Sequence, residues 1–435
     1  MSCLGIFVLE LLFLSLLVSA GYEKPDEVLA TFLILVFSFA YVVYIMTNGK
    51  YKNVWKYMVA GYFFRVALLF WDLYCADIYI LPSSHSDTFG YWSASVAYSR
   101  GFDIQFNAFK PFGLAIRYFG EQQLFIQFFM VLSALITFLV VLKILRELEL
   151  PKKIINRAMF LITLLPLYAI HSSIFLREAY PIMFSAVAFL FFVRWYQGKG
   201  ELNFLYTMIA ALTAAFFHTG IITAASGYVL IRMIYDPKAG KFHFSWKNVF
   251  LGTIILVLFV YVFINYANLF SSKLGGVSSY KDIDAGRFES QSRASYHRYV
   301  GNSNSIINII IYTPVRMILF LFAPLPLPFM MRGLQDIIAM LFGSCFYMYT
   351  YYRAVLLIKH RGKFANLAKC ILIIGLITAF VFGWGRTNVG TNSRHRDKLV
   401  AVYVVLLAIS MTDEKKSPHC RTKHKSISDG LCEGK

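Results

Sequence analysis

Cations and a few acids gather where the long apolar runs of this sequence begin or end, and their types suit the handling of phosphate. The densest group lies in the connection Gly385-Arg386-Thr387-Asn388-Val389-Gly390-Thr391-Asn392-Ser393-Arg394-His395-Arg396-Asp397. An arginine fork binds phosphate oxygens bidentately and keeps its charge, so Arg386, Arg394 and Arg396, with His395, suit an anionic ligand. Arg177-Glu178 follows the apolar run ending at Phe175-Leu176 and precedes another after Pro181; a charged cap in the headgroup region would read the same way. His218, in Phe216-Phe217-His218-Thr219-Gly220, is either a proton acceptor or a hydrogen-bonded turn residue. Ser86-Asp87-Thr88-Phe89-Gly90-Tyr91-Trp92 sets a carboxylate beside aromatic rings. Tyr91 and Trp92 suit the face of a sugar and Asp87 its hydroxyls, although an interfacial aromatic belt looks alike. Arg293 and Arg298, near Arg287 and His297 among serines and tyrosines, add cations to a trap for a pyrophosphate.

The elements that must carry these residues are membrane helices. Of 435 residues, 58% are hydrophobic and 15% charged, whereas a soluble domain is about 45–50% apolar and about 25% charged. Apolar runs near the roughly 20 residues that cross a bilayer recur at Glu27 to Met46, Gln122 to Leu145, Val249 to Ile264 with its flanks, Leu334 to Ile358 and Leu367 to Trp384. They are continuous in Leu, Ile, Val and Phe, unlike the short alternating segments of a β-barrel. The sequence predicts an all-α polytopic membrane protein with roughly 11–13 transmembrane or re-entrant helices. One multispanning domain covers 1–411, with outer loops at about 77–121, 268–305 and 385–397 and a basic cytoplasmic tail at 412–435. Leu4 to Ala20 lacks a basic leader and carries Glu10, so it reads as a retained first span. Six cysteines form no framework, and the spacing of His419, Cys420, His424 and Cys432 fits no standard zinc pattern, so no metal or other cofactor is expected.

Charge orients the spans. Much of the net +19 sits in short loops at Lys50, Lys52 and Lys56; Arg146, Lys152, Lys153 and Arg157; Lys238, Lys241 and Lys247; and Lys359, Arg361 and Lys363. Basic short loops stay cytoplasmic, which accounts for the charge without nucleic acid. Parity then puts the Gly385 to Asp397 connection outside, where its basic side chains break the rule and ask for an anionic ligand. Phe204 to Ile231 is too short for two full spans and reads as a hairpin of short helices with His218 at its outer turn. Ile306 to Met331, interrupted by Pro314, Pro324, Pro326 and Pro328, must be re-entrant or cross incompletely. Irregular backbone there is tolerated where protein buries it or a wet cavity receives it.

Leu176-Arg177-Glu178-Ala179, an apolar span, Gly198-Lys199-Gly200, another apolar run and Phe217-His218-Thr219-Gly220 resemble the pattern of the Wzy-like and EpsG-like bacterial polymerases of surface polysaccharide. Asn388-Val389-Gly390-Thr391-Asn392-Ser393-Arg394-His395-Arg396 is similar to the glycine, threonine and paired-arginine motif before their last spans. The likeness covers roughly Asp87 to Val400 in layout, through short motifs; Glu178 departs from it, since many relatives carry an uncharged residue there. The resemblance implies a relative of the lipid-sugar-dependent (GT-C-like) glycosyltransferases in the bacterial plasma (inner) membrane. It implies polymerisation of O-antigen, capsule or exopolysaccharide repeat units carried on polyprenyl pyrophosphate, with a chain-length regulator as a candidate partner. Arg177, Arg394 and Arg396 would stabilise the leaving pyrophosphate, and His218 or Asp87 would take the acceptor proton. Arg293, Arg298, Arg386, His395, Tyr91, Trp92 and Glu178 would bind substrate. A glycosyltransferase adding one sugar, a polysaccharide transporter or flippase, and an inactive scaffold are the competing classes; no convincing internal repeat favours the transporter.

Overall fold

A computed structural model describes residues 27–412 except 105–106, 244–245, 247–248, 251, 255–256, 258–299, 301–304, 328–329 and 332. The expected first span at Leu4 to Ala20, most of the Val249 to Ile264 run, Arg293 and Arg298 with their loop, and the tail lie outside the described residues.

Helices make up nearly all of the described fold. The chain opens with α1 (Glu27–Thr47) and α2 (Trp55–Tyr74), antiparallel as the Ser38–Tyr62 and Tyr41–Met58 hydrogen bonds require. Two helices outside the spans follow, α3 (Ser86–Ser99) and α4 (Lys110–Phe119); α4 buries Phe112, Gly113 and Ile116 and holds α3 through Arg117, which donates to the Ser99 and Tyr98 carbonyls. The long helix α5 (Gln123–Glu147) packs against α1, α2, α6 (Lys152–Leu164) and, beyond the six-residue α7 (Pro166–His171), α8 (Ala179–Tyr196). Pro166 has no N–H to continue α6, so the helix stops at Leu164 and restarts as α7. Next come α9 (Leu202–Phe217) and α10 (Ile222–Ile234), then a two-residue strand pair, β1 (Tyr235–Asp236) with β2 (Lys241–Phe242). The rest is α11 (Ile306–Phe322), α12 (Leu334–Ala339), a π-helical turn at Met340–Ser344, α13 (Cys345–Lys359), α14 (Ala365–Gly385), α15 (Val389–Asp397) and α16 (Val400–Ser410).

Four of these helices, α1, α5, α8 and α14, are long and apolar enough to cross a bilayer, and the chain is an all-α polytopic membrane protein. Large apolar side chains face outward as well as inward: on α1, Leu33, Phe37 and Tyr41 are buried while Phe32, Leu35 and Phe39 are 59–74% exposed. A helix apolar on every side needs lipid on the face that protein does not cover.

The basic loops share one end of the bundle. Arg146 donates to the Lys50 carbonyl, Arg194 and Lys199 both pair with Glu147, Arg232 pairs with Glu201, and Asn366 donates to the Gly240 carbonyl. The candidate residues gather at the opposite end. There α9 and α10 form the expected hairpin of short helices, tied to α14 by the Thr223–Thr378 hydrogen bond.

In the proline-rich segment Pro314 does not interrupt the chain as expected but lies inside α11, which ends part-way along its neighbours. That helix runs beside α14 from Thr313, which accepts from Trp384 Nε1, to Phe320, stacked on Phe382. It then stops at Ala323, where Phe322 meets Tyr351 midway along α13. The carbonyls at that tip would lack partners, but Leu321 and Ala323 accept from Arg396 Nη1 at 2.8 and 2.9 Å.

Candidate active site

Three short connections and one surface helix converge on α15. Asp87 stands in the first turn of α3, Arg177 and Glu178 lead into α8, and His218 closes α9. Asn388 caps α15 by accepting from Gly390 N and Thr391 N, which fixes where the following polar residues stand.

Arg394 Nη1 donates to Asp87 Oδ2 at 2.6 Å. Lys398, fully buried just beyond α15, has its Nζ 2.6 Å from His395 Nδ1 and 3.7 Å from Glu178 Oε1. Burial alone would push the Glu178 carboxyl up, but Lys398, Arg177 and Arg394 hold it down at about 2. Burial drives Lys398 down to about 7 against the pull of Glu178. Burial and the surrounding cations, Lys398 first, depress both His218 and His395 well below the ordinary imidazole range. The connections thus bring five cations (Arg177, Arg386, Arg394, Arg396, Lys398) toward four carboxylates (Asp87, Glu178, Asp336, Asp397).

A cavity of about 370 Å³ opens beside this cluster, lined among others by Asp87, His171, Asp336, Asn388, Ser393 and Arg394. Among the described residues, buried nitrogens of Arg177 (Nε), Arg394 (Nε) and Arg396 (Nε and Nη2) have no hydrogen-bond partner. No family model, curated protein or solved structure matches the chain. What the site can do is therefore read from its own chemistry.

The sequence-predicted residues separate by what they touch. Arg394 and Asp87 line the cavity together. Arg177 holds its guanidinium 5.8 Å from the centre of the Tyr91 ring. Tyr91 stacks on Phe109 at 4.3 Å and Trp92 meets the edge of Phe175, so both rings have aromatic partners within the fold. His218 Nδ1 accepts from Gly220 N, and its ring packs against His395 and Phe382. Arg396 caps the tip of α11 and lies over Tyr347. Arg386 follows the end of α14 and contributes its charge to the field at both histidines.

Four residues that the sequence reading passed over belong here: Lys398, Asp397, His171 and Tyr347. Asp397 Oδ2 lies 3.2 Å from His171 Nδ1, and Oδ1 accepts from Tyr347 at 3.1 Å. Their signal was visible as Asp397 and Lys398 extending the basic motif, and as His171-Ser172-Ser173 interrupting an apolar run after Pro166. Among the described residues no group of three or more His, Cys, Asp or Glu side chains is arranged to hold a metal ion.

Proposed function

We propose that this protein polymerises lipid-linked oligosaccharide repeat units into a surface polysaccharide on the outer face of a bacterial plasma membrane. The observation that carries the reading is the position of Arg394. It lines a polar cavity at the end of the bundle opposite the basic loops, and Arg177 and Lys398 act on the same buried Glu178. Basic loops remain cytoplasmic, so the cavity opens on the far side, where lipid-linked glycans are extended.

In the reaction, the acceptor hydroxyl oxygen of one lipid-linked unit attacks the anomeric carbon of another. The bond from that carbon to the phosphate oxygen breaks, and the electron pair leaves with the polyprenyl pyrophosphate. The acceptor proton passes to a base and then to solvent or the leaving group. Negative charge grows on the pyrophosphate as the bond lengthens, so fixed cations lower the barrier most when they already stand where it develops. Arg394 and Arg177 serve that purpose, with Lys398 supporting them from behind.

A glycosyltransferase adding one sugar from a polyprenyl phosphate donor is the second reading, favoured by the presence of the Asp87 carboxylate in the cavity wall. Deleting the gene in its host and complementing with Arg177→Ala or Arg394→Ala separates the two. Accumulation of single lipid-linked repeat units supports polymerisation, whereas loss of one sugar from every unit supports the transferase. Unchanged glycan after deletion overturns both.

A further inference from the structure

We propose that His171 is the general base that takes the acceptor proton, and that Asp397 is the residue that positions it; this rests on the polymerase reading above. Pro166 breaks the helix and lets α7 carry His171 to the cavity wall. The side chain is 1% exposed and its Nδ1 sits 3.2 Å from the equally buried Asp397. An ionised carboxylate can only accept, and its other oxygen already accepts from Tyr347. The ring proton therefore resides on Nδ1, which leaves a lone pair on Nε2. That nitrogen has no hydrogen-bond partner among the described residues.

The alternatives in the cluster are already engaged. Asp87 accepts from Arg394, His218 Nδ1 accepts from a backbone N–H, and His395 Nδ1 faces Lys398. The charged groups around His171 are Asp397 on α15, Glu178 ahead of α8, and Asp87, Arg394 and Asp336 across the cavity. A neutral imidazole held by a carboxylate on one nitrogen and unpartnered on the other can receive a proton from a hydroxyl that reaches it as the oxygen attacks. The resulting imidazolium is stabilised by Asp397 and returns its proton to the departing pyrophosphate.

The test uses full-length protein in liposomes with the polyprenyl-diphosphate oligosaccharides extracted from the deletion strain as substrate. His171→Gln keeps a group that can hydrogen-bond Asp397 and is expected to lower kcat by roughly 10²–10⁴-fold with KM little changed. The wild-type rate profile is expected to carry an acid limb that vanishes in the variant. Asp397→Asn can donate to Nδ1, which moves the ring proton to Nε2, so it too should lose most of kcat. A His171→Gln enzyme within about threefold of wild type, or one that keeps the acid limb, overturns the proposal. If His171→Gln does not fold, a fully active Asp397→Asn overturns it instead. Polymer lost on gene deletion but restored by His171→Gln would leave the polymerase reading standing and remove the base. Polymer unaffected by deletion would remove both.

Discussion

Arg394 Nη1 and Asp87 Oδ2 meet at 2.6 Å across 307 residues of chain, joining the first turn of a surface helix to the polar helix α15. Asp87 is 42% exposed at its side chain and Arg394 is 14% exposed, so water screens one partner and reaches little of the other. A pair of that kind contributes little to folding, yet it aims the guanidinium.

A double-mutant cycle should show this imbalance. We expect Asp87→Ala and Arg394→Ala to couple by less than about 1 kcal/mol in thermal or denaturant stability. Arg394→Lys, which keeps the charge and loses the fork, should still reduce polymer formation, by roughly 10-fold or more. Coupling well above that limit would make the pair structural first.

Arg396 should behave in the opposite way. Its Nη1 serves the Leu321 and Ala323 carbonyls at the tip of α11, and losing both bonds leaves buried acceptors without partners. Arg396→Met is expected to cost about 2–4 kcal/mol, read as a fall in Tm and in the yield of monodisperse protein. A normally stable but inactive Arg396→Met would assign this arginine to the reaction instead.

The pH dependence of turnover should expose Lys398. With its Nζ held near pH 7, the lysine is charged below that value and neutral above it, so cationic support for the pyrophosphate fades as pH rises. Glu178, depressed to about 2, stays ionised throughout. Glu178→Gln removes the carboxylate that holds Lys398 up, so the alkaline limb of the rate profile should move to lower pH. A limb that stays in place or moves to higher pH would refute this assignment.

Close helix packing gives a stability prediction far from the site. A Cβ on Gly61 would lie 2.6 Å from Thr163 Cβ and 2.8 Å from its carbonyl oxygen, whereas one on Gly49 would meet nothing. Gly61→Ala should therefore destabilise by about 1–3 kcal/mol and push α2 from α6, and Gly49→Ala should be near neutral, as measured by thermal unfolding in one detergent.

Much of the layout was legible in the sequence because lipid imposes length and polarity on each segment. The helices at Glu27–Thr47 and Gln123–Glu147 fall within one or two residues of their apolar runs. The short stretch around His218 already demanded a hairpin, and Pro324 stands just beyond the end of α11. The partners of each charge were not legible, because they join residues far apart in the chain. Arg396 reads as a phosphate ligand beside Arg394 until the tip of α11 is seen beneath it. His171, passed over in the sequence, gains its place only when Asp397 is found against it.

Arg65 sits fully buried midway along α2, donating to the Gly61 and Thr163 carbonyls and to Ser172. The Thr163 carbonyl is one that the break at Pro166 leaves without a helical donor, so a guanidinium fills the gap that a proline opened. Straightening that joint by replacing Pro166 would give the Ile162 carbonyl a helical donor, let the Leu167 N–H compete with Arg65 for the Thr163 carbonyl, and turn the next residues about a helix axis. The imidazole one short helix away would then swing off its carboxylate. The Pro166 ring, at the other end of that six-residue helix, thereby sets the angle at which the imidazole meets the cavity.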